Sequence, residues 1–271
     1  MPSDPRTAWL ANIRLHPIKG LDPVSIAEAR VGPNGGLELD RVWVLLSVDG
    51  QWINGKRTAA IHHIRAEYDP LVSMVTLSVS GGAKKSNRLK PAHFAFPADH
   101  ERAAAWFSEY FDQTVIVRHI SEGAPDDGLA PGPTIVSTAS LRAVCEFFPG
   151  IELHQARERF RTTLEVDGVP AFWEDQLFGE HENYPVRFKI GEVAFEGSNP
   201  CARCPVPPRN PRTGEGLVGF QKKFAEMRSA SLPATSPASR FDHFYRLATN
   251  TRVPGTEQGK LLRVGDALQF S

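Results

Sequence analysis

Apolar and polar positions along the first third of the chain change register over short distances. "RVWVLLSV" (41–48) and "QWINGK" (51–56) are apolar-rich runs flanking Asp49-Gly50. They predict two strands joined by a two-residue hairpin turn, both of whose positions take positive φ. "LVSMVTLSVS" (71–80) predicts a further strand. At 99–112 the period lengthens: Ala103, Phe107, Tyr110 and Phe111 fall on one face of a helix. Residues 121–134, "SEGAPDDGLAPGPT", carry three prolines and three glycines among acids and read as a long loop between two units. A second helix is expected over 137–148, with Leu141, Val144, Cys145 and Phe148 on its apolar stripe and Ser137 or Thr138 as its cap. The stretches 159–172 and 186–198 read as strands leading into a cysteine pair, and "LLRVGDALQFS" as a strand with a Gly-Asp turn. Short strands punctuated by glycine and proline point to an antiparallel sheet or barrel.

Bulk properties narrow the class. A chain of 271 residues can bury one large core or two smaller ones, and 41% hydrophobic with 23% charged residues argues against disorder. Lysine plus arginine balances aspartate plus glutamate at 31 each, so no overall field favours nucleic acid. An anion would have to be held by a local arrangement. No long apolar run marks the start, and nowhere do 18 apolar residues stand together, so neither a leader nor a membrane span is expected. Cys145, Cys201 and Cys204 are too few for a disulfide framework, which fits a reducing cytoplasm. These features together describe a cytoplasmic enzyme or binding protein.

The candidate chemistry is sparse. "GEGLVG" (214–219) matches a dinucleotide fingerprint, but "PPRNPRT" before it cannot be a central strand, so a flexible loop is the better account. His62 and His63 are adjacent without zinc-helix spacing, and His16 near Lys19, which could face a ligand, reads better as a surface or satisfied histidine. No serine elbow or phosphate-binding Walker loop is present. "NPCARCPVPPRNPRTGE" (199–215) remains. Zinc lacks a second ligand pair, and the flanking prolines disfavour the helix start of a thioredoxin-like redox pair. A single thiolate bound to a soft metal needs only one ionised cysteine on a stiff loop with positive charge nearby, which Arg203 supplies. On the residues alone, this reading stands open beside inert thiols.

A resemblance goes further. "LHPIKG" (15–20), "LDRVWVLL" (39–46), "STASL", "RFRTTLEV", "WED" (173–175), "NPCARC" and "NPRTGE" occur in an order and spacing similar to the MOSC family, relatives of the molybdenum cofactor sulfurase C-terminal domain. Within it the chain most resembles bacterial relatives of the mitochondrial amidoxime-reducing component. The resemblance implies a mainly β fold with a few helices (α+β): an N-terminal β-barrel domain (1–122) packed on a β-barrel-like MOSC domain (123–271). It also implies a molybdenum cofactor (Mo-molybdopterin) between the two. Cys204 would supply the catalytic, metal-bound thiolate, with Cys201 a neighbour of unassigned role. Lys19, Arg41, Arg161 and Arg203 would bind the cofactor through its phosphate, and Thr163 would meet the pterin.

The implied reaction is reduction of small-molecule N-hydroxylated or N-oxide substrates by oxygen-atom transfer. No flavin, nicotinamide or iron–sulfur signature occurs in the chain, so a separate electron-donor protein is expected, with no nucleic acid or membrane partner. The alternative is a cofactor or persulfide carrier without its own redox turnover. Two departures bear on substrate and cofactor form. Gly20 stands where close relatives often have serine, and Arg161-Thr162-Thr163 stands where amidoxime-reducing members show Arg-Pro-Asn.

Overall fold

The computed structural model describes residues 8–80 and 89–270. The first seven residues, part of the stretch read as free of a leader, and Ser271, at the end of the last expected strand, lie outside the described residues.

The first half contributes β1 (Trp9–Leu15), β2 (Val24–Ile26), β3 (Glu28–Arg30) and β4 (Trp43–Ser47). After these come β5 (Ile64–Tyr68), β6 (Met74–Val79), β7 (Ala92–Ala95), α1 (His100–Phe111) and β8 (Val115–His119). The second half runs through β9 (Ile135–Ser137), α2 (Thr138–Phe147), α3 (Leu153–Phe160), β10 (Leu164–Asp167), β11 (Val186–Ile190) and β12 (Val193–Ala202). It closes with α4 (Phe220–Ala230), β13 (Arg246–Arg252), β14 (Leu261–Arg263) and β15 (Leu268–Phe270).

The dominant sheet has the order β15-β11-β12-β13-β9-β10-β1-β2 and draws on both halves. β1 pairs antiparallel with β10, while β9 and β10 are parallel. β14 pairs with β3, so the C-terminal segment returns to the N-terminal one. Two cores flank this sheet. Leu10, Ile13, Leu164, Phe188 and Phe195 pack on one side. Leu141, Val144, Phe160, Phe220 and Phe224 join α2, α3 and α4 on the other. A third core, around Leu45, Ile64, Leu77 and Phe107, belongs to the first half.

The mainly β class with four helices agrees with the expectation, but the described ladders do not close into barrels. β4 and β8 form a separate two-stranded sheet, and β5, β6 and β7 a three-stranded one. The Ile18–Trp43 bridge links β4 to the chain after β1. Pro17 precedes it and has no N–H to offer, so its carbonyl accepts from Trp43 and the ladder goes no further on that side.

Three local expectations need correction. Residues 51–56 make only an isolated bridge at Trp52, because the Asn54 carbonyl accepts from both Arg57 and Thr58 and turns the chain after Ile53. The hairpin before them has a three-residue loop, closed by Gly50 N–H to Ser47 O (2.9 Å) and Ser47 N–H to Gln51 O (2.9 Å), and only Gly50 has positive φ. The stretch 159–172 begins as the end of α3, and only Leu164–Asp167 is a strand. The expected helices over 99–112 and 137–148 are α1 and α2, and Ser137 caps α2 by accepting from Ser140 N–H.

A buried polar knot fixes α2 to the 3-10 turn Trp173–Leu177. Ser140 Oγ donates to Glu174 Oε2 (2.9 Å) and accepts from Phe172 N–H (2.6 Å). Burial, then the neighbouring Asp175 charge, pushes the Glu174 carboxyl up to about 7. The same turn lies so close to β12 that a Cβ on Gly197 would stand 1.5 Å from Leu177 O.

Two outcomes follow from this packing. Gly197→Ala should cost about 3 kcal/mol in urea unfolding, because backbone meets backbone there and no side chain can yield. Glu174 is protonated in the folded state and ionised in the unfolded state between its unfolded value and about 7. Its contribution is therefore intact below that window and lost as pH rises through it. Glu174→Gln should raise Tm by about 3 °C at pH 8, with the gain vanishing near pH 4 in a thermal melt series.

Candidate functional site

A cavity of about 400 Å³ lies between the first half, the 121–134 loop and the end of β12. Lys19, Arg41, Arg161, Thr163, Arg203 and Cys204, the residues singled out from sequence, all line it. The two halves thus bring together side chains separated by up to 185 positions, and each arrives by a different local device.

Lys19 follows the Ile18–Trp43 bridge, and its N–H donates to Trp43 O (2.8 Å). The next residue, Gly20, has φ of 98°, and a Cβ there would meet Ile61 Cδ1 at 2.9 Å. Glycine at this position therefore has a backbone reason in this chain. Lys19 Nζ donates to Ala124 O (2.7 Å) and pairs with Asp126 (3.1 Å). Arg41 sits in the left-handed region (φ 55°), fixed by its N–H to His16 O and by Ala124 N–H to its own carbonyl. Its guanidinium pairs with Asp40 and reaches across to Arg161 O (3.2 Å) and Thr163 Oγ1 (3.3 Å). Arg161 ends α3, also in the left-handed region (φ 51°). Two non-glycine residues in this sparsely populated conformation, facing one cavity, mark a site that the surrounding fold holds in place.

Arg161 differs from the others in its company. Arg41 has Asp40 and Lys19 has Asp126. No carboxylate or carbonyl partners the Arg161 guanidinium among the described residues. Burial, then the nearby Arg41 charge, pulls its pKa down to about 10, while the Asp22, Asp126 and Asp40 charges act from further off to keep it up. It therefore remains a cation at neutral pH with no carboxylate in direct contact among the described residues. Such a group favours an anionic ligand strongly.

The cysteines are presented by a strand pair that bulges twice. The β12–β13 register shifts between Gly197 and Asn199 and again between Pro200 and Ala202. Ala248, on the partner strand, takes φ of 73° at the second shift. Bulges re-aim side chains, and here they bring Cys201 to the cavity wall where β12 ends, with Cys204 on the loop beyond. Arg203 binds the loop down: its guanidinium donates to Phe160 O and to Cys201 Sγ (3.0 Å). Its contact with sulfur is therefore to Cys201, whereas Tyr245 Oη donates to the Cys204 carbonyl (3.3 Å). Both thiols are free and partly exposed.

Beyond the pair, residues 205–215 fold back against the first half. Arg159 donates to Pro207 O (2.9 Å) and Arg209 O (2.7 Å), and Arg65 donates to Pro211 O (3.1 Å). Gly214 (φ 72°) lies where a Cβ would meet Ala59 O at 2.7 Å, which explains the glycine of the "PRTGE" stretch. The match to a dinucleotide fingerprint is thus the edge of a clamp, and α4 starts after it at Phe220.

Other residues at the cavity were not singled out from sequence. Lys56 stands on the turn after Ile53 and pairs with Asp126 (3.6 Å). Burial pushes Asp126 up, but Lys19, Arg41 and Lys56 together hold its carboxyl well below the usual range. His62, whose Nε2 is buried without a hydrogen bond, is brought down to about 4 by burial and then by Arg161, Arg209 and Arg65, so it is neutral at pH 7. His16, expected from sequence to be a surface or satisfied histidine, is neither: it is buried, and both ring nitrogens lack a hydrogen-bond partner among the described residues. The nearest carboxylate, Asp40, stays at 3.8 Å because it accepts from the His16 backbone N–H instead. The acid-rich composition of the 121–134 loop was a signal for Asp126, but it points equally to a solvated linker.

Comparison with known proteins agrees with the sequence resemblance. Residues 7–114 match the MOSC N-terminal beta barrel domain and residues 133–269 match the MOSC domain. The chain is 24% identical over 207 residues to the molybdenum cofactor sulfurase of Drosophila pseudoobscura pseudoobscura, covering 66% of this chain and 25% of that protein. It is 23% identical over 252 residues to the molybdenum cofactor sulfurase of Drosophila grimshawi, covering 82% of this chain and 31% of that one. It therefore spans about a quarter to a third of the length of these curated relatives. The crystal structure of the YuaD protein from Bacillus subtilis aligns over 97% of this chain and 95% of its own, at 10% identity and a TM-score of 0.37. With both domain families matched in order along the sequence, the chain belongs to the MOSC family.

Proposed function

We propose that the chain binds a molybdenum cofactor in this cavity and reduces N-hydroxylated or N-oxide small molecules in the cytoplasm. The observation that carries this reading is the Arg161 guanidinium, a half-buried cation with no direct protein partner among the described residues, in the wall of a cavity that also presents two free thiols. A phosphate-bearing group with a thiolate-seeking metal answers both features, so the residues present fit it.

In this reading Arg161, Lys19 and Arg41 hold the phosphate, the Thr163 hydroxyl meets the pterin and Cys204 gives its thiolate to the metal. The cofactor, when bound, supplies a two-electron redox centre suited to oxygen-atom transfer. The chain's own residues do the rest. Arg41 keeps the two cavity walls in register through Arg161 O and Thr163 Oγ1. Arg203 acts by fastening the cysteine loop to Phe160 O rather than by reaching into open space. His62, neutral at pH 7, offers a ring nitrogen that can make a hydrogen bond without adding charge to the cavity. A separate protein supplies electrons. No described helix is long and apolar enough to cross a membrane.

The names of the curated relatives favour a second reading, in which the cavity holds the cofactor or a persulfide for transfer and does not turn over. Metal content and turnover separate the two. Protein from a host that makes molybdopterin should carry near-stoichiometric molybdenum, and Cys204→Ser should lose at least about tenfold of it. With a chemical reductant, the wild-type protein should reduce an amidoxime, and Cys204→Ser should fall by about a hundredfold or more. Molybdenum without turnover points to the carrier; wild-type protein without molybdenum overturns the cofactor reading.

The orphan cation supplies its own test. Arg161→Met should leave apo-protein Tm unchanged or raise it by about 2 °C, since a half-buried charge with no carboxylate in direct contact is removed. The same variant should lose the thermal stabilisation that millimolar inorganic phosphate gives the wild type.

A further inference from the structure

Asp126 is the only carboxylate within ion-pair distance of either Lys19 or Lys56 among the described residues, and one of its oxygens serves both. Oδ1 lies 3.1 Å from Lys19 Nζ and 3.6 Å from Lys56 Nζ. Lys19 is largely buried, and burial acts to strip its proton while Asp126 acts to keep it. The ammonium therefore needs an anion beside it, and in this structure the chain provides one from its own loop.

The loop is fixed on both sides of that carboxylate. Ala124 N–H donates to Arg41 O (2.9 Å), and Asp127 Oδ2 accepts from Asn250 Nδ2 (2.9 Å). The Asp126 side chain itself remains 57% exposed. Its carboxylate can swing toward solvent by side-chain rotation while the backbone keeps its path. Once it leaves, two ammonium groups stand without a paired carboxylate on one wall, and Arg161, which has no carboxylate in direct contact among the described residues, stands on another.

We propose that Asp126 is an internal placeholder for a phosphate group. Its carboxylate neutralises Lys19 and Lys56 while the cavity is empty, and an incoming phosphate dianion displaces it and takes both lysines as ligands. The proposal rests on the reading of the cavity as a phosphate-bearing cofactor site and deepens it by adding Lys56 to the ligand set and an exchange step to loading. Such an exchange discriminates. A weak monoanion gains little by replacing a carboxylate that is already tethered, whereas a dianion doubles the charge between the lysines and also satisfies Arg161. Chain-borne carboxylate and ligand phosphate then compete for one position, which keeps the unloaded site closed to chloride and other common monoanions.

The test uses the full chain made in a host without molybdopterin, titrated calorimetrically with inorganic phosphate at low ionic strength. Asp126→Asn should tighten phosphate binding about tenfold, because the competitor is gone. Glu122→Gln removes an equal charge from the same loop away from the lysines and should change the affinity less than about twofold. Lys56→Gln, on the other side of the cavity mouth, should weaken phosphate about fivefold. Equal affinities for Asp126→Asn and Glu122→Gln, an unaltered Lys56→Gln, or no phosphate binding by any of the proteins would overturn the proposal. Molybdenum content of the same variants from a molybdopterin-making host separates the two levels of inference. Full loading with no Asp126 effect on phosphate removes the placeholder and leaves the cofactor reading standing. Tightened phosphate without molybdenum upholds the exchange and removes the cofactor reading.

Discussion

One guanidinium joins the parts on which the site depends. Arg41 belongs to the first half, is neutralised by Asp40 and donates across to the backbone of Arg161 and the hydroxyl of Thr163 in the second half. The contact is short-ranged and directional, so it fixes both the separation of the two cavity walls and their relative rotation. Arg65 and Arg159 repeat the device at the far side, where they hold the loop after the cysteines through carbonyl oxygens. The carbonyls satisfy the donors of these arginines without consuming acids, although Arg65 also pairs with Asp22 (2.9 Å). Arg159 and Arg203 therefore add their charge to that of Lys19, Arg41, Lys56 and Arg161 around the cavity, against Asp40, Glu122, Asp126 and Asp127.

This arrangement shows how a chain with equal numbers of acids and bases can build a cavity with an excess of cations. Charge balance is global, whereas binding responds to the few groups within a Debye length. Asp40 and Asp126 pair with converging cations, and Arg161, desolvated in part, feels Asp22, Asp126 and Asp40 only at longer range. The left-handed backbone at Arg41 and Arg161 adds a further local cost. The sheet spanning both halves and the core against α2, α3 and α4 carry that burden, since they are packed independently of the cavity. Destabilising features thus gather where a ligand would relieve them.

Part of this was legible in the sequence. The helices over 100–111 and 138–147 follow from apolar spacing, and the cap at Ser137 from its residue type. α3 was equally available, with Leu153, Ala156 and Phe160 at helical spacing, but dense charge and histidine hid the stripe. The six singled-out residues line one cavity, yet pattern alone could not have joined them: Lys19 and Cys204 meet only through long-range strand pairing, which local periodicity does not encode. The family resemblance bridged that gap for residues lying in shared motifs. It gave nothing for Lys56, His62 and Asp126, which sit in turns whose composition reads as ordinary solvated loop.

The same limit bears on Arg203. From sequence, a cation between two cysteines suggests a thiolate stabiliser or a phosphate ligand. In the fold its fork is divided between Phe160 O and Cys201 Sγ, and it lies over the Phe160 ring at 5.5 Å. A guanidinium committed to a carbonyl, a sulfur and an aromatic face has few donors left for a ligand. Its contribution is geometric: it ties the turn carrying Cys204 to the end of α3, one residue before Arg161. The anion-facing residue and the thiol-bearing loop are consequently held by a common anchor, so displacement of either would be felt by the other. The cation that sequence places between the cysteines thus has its contacts in the frame, whereas the one that ends the helix has no direct protein partner among the described residues.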